Sequence, residues 1–156
     1  MDYNYIAKGY DELYGEEQEK KVDIIKNNLP LKKDAKLLDV GCGSGVSSGF
    51  DCFVIGIDPS INLLKQNKNS KICAAAEKLP FSDNSFDFVI SVTSMHNFYD
   101  IEESINEMKR VGRNYFVFSV LKKSSKFGPI KRLIEKNFNI DQMIEEEKDV
   151  VFFCNA

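Results

Sequence analysis

Short apolar runs alternate with amphipathic stretches along the chain, the pattern of a sheet covered by helices on both faces. Residues 16–29 place Val22, Ile25 and Leu29 at three- and four-residue spacing, which predicts a helix that Pro30 stops. Lys36–Val40 and Phe53–Asp58 are short apolar strands. Pro59 and Ser60 open a helix carrying Ile61, Leu64 and Lys65. Lys71–Ala75, Phe86–Ser91 and Tyr115–Leu121 predict three more strands, and residues 100–111 a helix with Ile101, Ile105 and Met108 on one face. A helix over 129–137 follows, with Pro129 at its start. Ile140–Glu145 and Val150–Cys154 then read as strands joined only by Glu146, Glu147, Lys148 and Asp149. A parallel crossover needs about a dozen residues, so this link predicts an antiparallel hairpin. The expected fold class is α/β: a single three-layer, doubly wound, mostly parallel sheet ending in an antiparallel hairpin. No repeat or low-complexity linker divides the chain, so residues 1–156 are expected to form one domain.

Composition narrows the partners. Apolar residues make up 43% and charged residues 29% of the 156 residues, a globular balance. Net charge is −3, so the protein as a whole is no electrostatic nucleic-acid binder. From Lys109 to Arg132, however, every charged residue is basic. That band reads as solvated surface or as a face for an anionic partner such as RNA. Cys42, Cys52, Cys73 and Cys154 form no CxxC pair and read as reduced thiols, neither a disulfide framework nor a zinc site. The polar, acidic N-terminal stretch is not a signal peptide, and no apolar run reaches the ~18 residues of a membrane span. A cytoplasmic protein without membrane contact is expected.

The segment most suggestive of chemistry is Leu37-Leu38-Asp39-Val40-Gly41-Cys42-Gly43-Ser44-Gly45. A buried strand runs directly into three glycines spaced by two. Glycine allows positive φ and close backbone approach to a ligand. In an open α/β sheet the ligand crevice lies at the carboxyl ends of the strands, where this turn falls. Asp39 is placed to accept hydrogen bonds from a cationic ligand group. A dinucleotide fingerprint needs GxGxxG, and here Gly45 comes one position early; a P-loop is excluded because no Gly-Lys-Ser/Thr is present.

Asp39-Val-Gly-Cys-Gly-Ser-Gly resembles motif I of the class I methyltransferases that use S-adenosylmethionine (SAM). Gly56-Ile57-Asp58-Pro59-Ser60 is similar to that family's second motif, Ala74-Ala75-Ala76-Glu77-Lys78-Leu79-Pro80-Phe81 to its third, and Asn84-Ser85-Phe86-Asp87-Phe88-Val89-Ile90-Ser91 to its fourth. Order and spacing match from about residue 36 to residue 121, and the type 11 subgroup is the most similar. The resemblance implies that SAM is the cofactor and S-adenosylhomocysteine (SAH) the product. It also implies that Asp39, Gly41, Cys42, Gly43, Gly45, Asp58, Pro59, Ala76, Glu77 and Ser91 surround the cofactor. Asp58 takes the ribose hydroxyls, a role consistent with a carboxylate ending a strand, although it also suits capping of the following helix. The backbone at Ala76 and Glu77 surrounds the adenine. Ala75 stands where the family often has an acidic residue for the adenine amino group. Residues 46–52 leave room for about one turn where the family has a longer helix, so one sheet face is expected to be thinly covered.

Methyl transfer from a sulfonium mainly requires alignment and exclusion of water, and needs a base only if the acceptor must lose a proton. No metal-ligand spacing is present. His96 is the single histidine and follows strand four, so it is the candidate catalytic residue. The competing reading is a loop-shaping histidine bonded to local backbone. No Asn/Asp-Pro-Pro-Tyr/Phe motif follows strand four, which argues against adenine or amide nitrogen as acceptor. Tyr3, Tyr5, Tyr10 and Tyr14 enrich the N-terminal segment; in relatives of this type such a segment lids the cofactor, which makes residues 1–30 a candidate helical lid segment and Tyr10 a candidate cofactor contact. A helix packing its aromatics onto the sheet is the alternative. The expected activity is methyl transfer to a small-molecule acceptor. An RNA methyltransferase using the 109–132 face and a non-catalytic SAM-binding partner subunit are the alternatives. The oligomeric state is open, a homodimer included.

Overall fold

The computed structural model describes the backbone of residues 3–45 and 49–156, and the side chains within that span from residue 15 onward. In chain order the elements are α1 (Tyr3–Asn28), β1 (Lys36–Val40), β2 (Phe53–Asp58), α2 (Ile61–Leu64), β3 (Ser70–Cys73), β4 (Phe86–Val92), α3 (Ile101–Val111), β5 (Gly112–Leu121), α4 (Phe127–Asn137), β6 (Asn139–Glu145) and β7 (Asp149–Asn155). They build one seven-stranded sheet in the order β3-β2-β1-β4-β5-β7-β6. The first five strands are parallel, and β7 pairs antiparallel with both β5 and β6. The expected closing hairpin is present, with its second strand, not its first, seated against the parallel sheet.

Several boundaries differ from the sequence reading. Helix α1 begins at Tyr3, so the helix that aliphatic periodicity marks over 16–29 runs on through the N-terminal segment expected to be helical, where Tyr3, Ile6, Tyr10, Leu13 and Tyr14 recur at three- and four-residue spacing. Strand β3 ends at Cys73 rather than Ala75: Cys73 pairs with Asp58, where its neighbour β2 stops. Strand β5 starts at Gly112, three residues before Tyr115, because Gly112 already pairs with Phe86 of β4.

Alternation along the strands sorts the core into two layers. Leu38, Val40, Val89, Phe116, Phe118 and Phe152 face α3 and α4, where Ile105, Met108, Ile130 and Ile134 are buried. Leu37, Val54, Phe88, Ile90, Val117 and Phe153 face Val22 and Ile25 of α1. Strands covered on both sides read as continuous apolar runs, which is how these five-to-ten-residue segments announce themselves. The face expected to be thinly covered is closed by α1 together with Phe50, which is 5% exposed.

Candidate active site

Chain order reverses between β1 and β4: β2 lies on one side of β1, and the chain returns through β4 on the other. The crevice of a doubly wound sheet opens at such a switch point, beyond the carboxyl ends of the strands. The glycine turn stands there. Asp39 is buried at 3% exposure near the end of β1, flanked in register by Gly56 and Ile90. The amides of Gly41 and Cys42 both donate to the Ile57 carbonyl, at 2.7 and 3.0 Å, and pin the turn to the end of β2. Gly41, Gly43 and Gly45 all have positive φ, at 80°, 52° and 91°. A Cβ on Gly41 would lie 2.5 Å from Ser94 Cβ, and one on Gly45 2.5 Å from Asn67 Oδ1, so a side chain at either fails on both conformation and space.

Asp58 ends β2 facing this turn. Its Oδ2 accepts the Gly43 amide at 3.0 Å and its Oδ1 the Ser60 amide at 2.8 Å. Each oxygen keeps acceptor capacity after one such bond. Burial pushes the Asp58 carboxyl above its ordinary value of 3.8, and the two amide bonds pull the other way. Ser60 Oγ accepts the Leu63 amide and caps the four-residue α2, so the capping role belongs to Ser60 as well as to Asp58.

The other candidates divide. Cys42 is buried and turns its sulfur toward Gly56, where a Cβ would stand 2.5 Å away; burial raises its pKa, so it is a packed thiol whose backbone alone faces the turn. The fully buried Ser91 donates its hydroxyl to the Val40 carbonyl at 2.9 Å, bridging β4 to β1. Glu77 turns its carboxylate to the Asp100 amide before α3, at 3.0 Å. Ala76 is buried in the α3-side core, Ala75 is exposed, and Pro59 is exposed. The side chain of Tyr10 lies outside the described residues.

After β4, Thr93 takes φ 50°, a left-handed conformation unusual for a β-branched residue. Its amide donates to Ser119 O at 3.0 Å and Ser119 Oγ at 2.8 Å, and its hydroxyl donates to Asp149 Oδ2 at 2.6 Å. Lys21 of α1 donates to Thr93 Oγ1 at 2.9 Å and to Gln18 Oε1 at 3.0 Å, and stands 3.2 Å from Asp149 Oδ1. Lys21 and Asp149 form an ion pair at 4% and 0% side-chain exposure. The turn at Thr93 delivers Ser94 onto Gly41, whose carbonyl accepts the Ser94 hydroxyl at 2.9 Å. His96 follows on a single 3-10 turn, Met95–Asn97, half-buried, its carbonyl held by Lys126 Nζ at 2.9 Å. Burial lowers the imidazole's pKa from 6.5; Asp149 opposes that, and Lys126 and Lys21 reinforce it. His96 is therefore neutral near pH 7 and able to accept a proton.

Among the described residues no group of three His, Cys, Asp or Glu side chains is placed to hold a metal ion. No described helix is long and apolar enough to cross a membrane.

A doubly wound sheet with a glycine turn after β1 and a buried carboxylate ending β2 is the architecture of class I methyltransferases. The structure of a SAM-dependent methyltransferase from Aquifex aeolicus superposes with a TM-score of 0.79 at 19% identity, covering 99% of this chain and 98% of that one. The family described as "Methyltransferase domain" matches residues 38–118, and the chain belongs to it. SAM is the cofactor of that family. An uncharacterized protein of Methanocaldococcus jannaschii is 32% identical over 146 residues, which are 87% of this chain and 57% of that protein. Demethylmenaquinone methyltransferase of Corynebacterium glutamicum is 33% identical over 93 residues, 55% of this chain and 40% of that enzyme. The chain spans about half the length of the curated relatives it matches.

Proposed function

We propose that the protein transfers the methyl group of SAM to a small-molecule acceptor. The observation that carries this reading is the Asp58 carboxylate locked against the Gly43 amide at the switch point, with acceptor capacity to spare. When bound, SAM supplies a methyl group on a positively charged sulfur, already activated for in-line displacement. The remaining work falls to the chain. The backbone of Gly41, Cys42, Gly43 and Gly45 forms the floor of the site, beside Asp39 and Pro59. Asp58 accepts two ribose hydroxyls on its free lone pairs. The backbone at Ala76 and Glu77 borders the adenine, and Ser91 holds β4 to β1 beneath it. Ser94 and His96 line the acceptor side, where neutral His96 accepts a proton from an acceptor that must lose one. The N-terminal segment of α1, with Tyr10, acts as the lid. Residues 1–156 work as one domain.

Two observations favour a small acceptor over RNA. The C. glutamicum relative is named for a small-molecule substrate. Within the basic band, Arg110 is bound by Glu107 and Asp83, Arg113 by Asp87, Lys122 by Glu145 and Lys131 by Glu135. Cations neutralised in this way contribute little to phosphate binding. The exposed Ala75, which offers no carboxylate to the adenine amino group, favours the second reading of a non-catalytic SAM-binding partner subunit.

Calorimetry with SAM and SAH tests the first step; no binding at millimolar ligand rejects the cofactor site. Incubation with SAM labelled in its methyl group and fractionated cell extract tests the second. Label is expected in a small-molecule fraction; label in RNA overturns the acceptor class, and binding without any transfer selects the partner-subunit reading. A soluble, cytoplasmic pool is expected on fractionation of cells.

A further inference from the structure

We infer that Asn67 is a positioning residue for the cofactor, holding the glycine turn in its binding shape from behind. The inference rests on the proposed cofactor site. Asn67 follows α2 in a stretch, Lys65-Gln66-Asn67-Lys68-Asn69, that reads as polar surface. Its side chain is instead 2% exposed. The amide Nδ2 donates to the Gly43 carbonyl at 3.2 Å and lies 3.4 Å from Cys42 Sγ, while Oδ1 accepts the Asn69 amide at 2.8 Å. Every polar atom of the side chain is thus directed.

The slot that receives it is shaped by two glycines. A Cβ on Gly45 would stand 2.5 to 2.9 Å from the three outer atoms of the Asn67 amide. A Cβ on Gly56 would stand 2.5 Å from Cys42 Sγ and 3.5 Å from Asn67 Nδ2. Gly43 is consequently clamped at both of its backbone polar groups: Asp58 takes its N–H and Asn67 its C=O. A residue at φ 52° with no side chain has few other means of fixing its orientation. The residue that orients Asp58 toward the ribose is therefore itself oriented by Asn67. Only residues 46–52 separate the turn from β2, so support from a long following helix is not available there, and the segment after α2 supplies it.

The substitutions Asn67→Leu and Asn67→Asp keep the size and remove the donor. For both, the SAH dissociation constant is expected to rise at least tenfold at a temperature where the variant is fully folded by circular dichroism. Asn67→Ser, whose hydroxyl is too short to reach the Gly43 carbonyl and which adds no bulk or charge, is expected to show the same rise and carries the test if Leu or Asp prevents folding. Ile134→Ala, in the distant α3-side core, controls for general destabilisation: its thermal midpoint falls and its SAH affinity stays within twofold. Wild-type binding with folded Asn67 variants that bind within twofold overturns the inference and leaves the cofactor site standing. Absence of wild-type SAH binding at millimolar concentration overturns both. A merely structural role lowers the thermal midpoint and leaves the affinity of the folded fraction where it was.

Discussion

Asp58 shows how one carboxylate serves fold and site together. Its raised pKa means that the fold binds the proton more tightly than the unfolded chain does, so ionisation above 3.8 costs the apo protein stability. Ribose hydroxyls donate to the ionised form. SAH affinity is therefore expected to fall as pH drops through the elevated Asp58 pKa, earlier than an ordinary carboxylate would dictate, as read by calorimetry across pH. Asp58→Asn should weaken SAH by about 10- to 100-fold, the scale of a hydrogen bond to a charged group at roughly 1.5–3 kcal/mol. His96 has the opposite linkage. Its lowered pKa means that the unfolded chain takes the proton first, so stability is lost as pH falls below about 6.5. His96→Gln should flatten that slope in denaturant titrations at pH 5 to 7. At this scale the sequence named Asp58 through the strand that ends in it. Asn67 and Thr93 left no local signal: an asparagine among lysines looks solvated, and their long-range partners lie 24 to 72 positions away.

Among the elements, the link from α1 to the loop after β4 is the least expected. A buried ion pair gains little net stability over an apolar pair, yet removing one partner strands a charge. Asp149→Ala should cost about 3–5 kcal/mol in urea unfolding, while the pair Lys21→Met with Asp149→Leu should cost less than either single change. The same network holds Thr93 in its strained conformation, worth about 1–3 kcal/mol by itself. Strands were legible because burial on both faces leaves almost no polar positions: β1 and β2 were located to the residue. The ends of β3 and β5 were not, since they depend on where the neighbouring strand starts or stops. The first thirteen residues of α1 place Tyr3, Ile6, Tyr10, Leu13 and Tyr14 at helical spacing, a stripe built mostly of tyrosine that the start at residue 16, read from aliphatic residues alone, left out.

For the whole molecule, doubly wound order and the closing hairpin followed from element sequence and link length. The charge band was visible too, but the pairing of four of its eight cations was only partly so: Glu107 lies one helical turn before Arg110, whereas Asp83, Asp87 and Glu145 reach the band from outside it. Binding to tRNA is expected to be weak; a tight complex that dissociates steeply with added salt would count against the small-molecule reading. At a hundred times its dissociation constant, SAH should stabilise the fold by about 2.7 kcal/mol, read as a rise in thermal midpoint.

The reversal of strand order has a kinetic side. Leu37 of β1 pairs with Phe88 of β4, while Val150 and Glu145 pair across a tight hairpin. Pairings that close long loops pay more chain entropy before they gain contacts, and they form later. The seam that carries the crevice joins the most distant of these segments. During refolding, protection of β6 and β7 amides in pulsed hydrogen exchange should precede that of β1, and competence to bind SAH should arrive with β1, last of all.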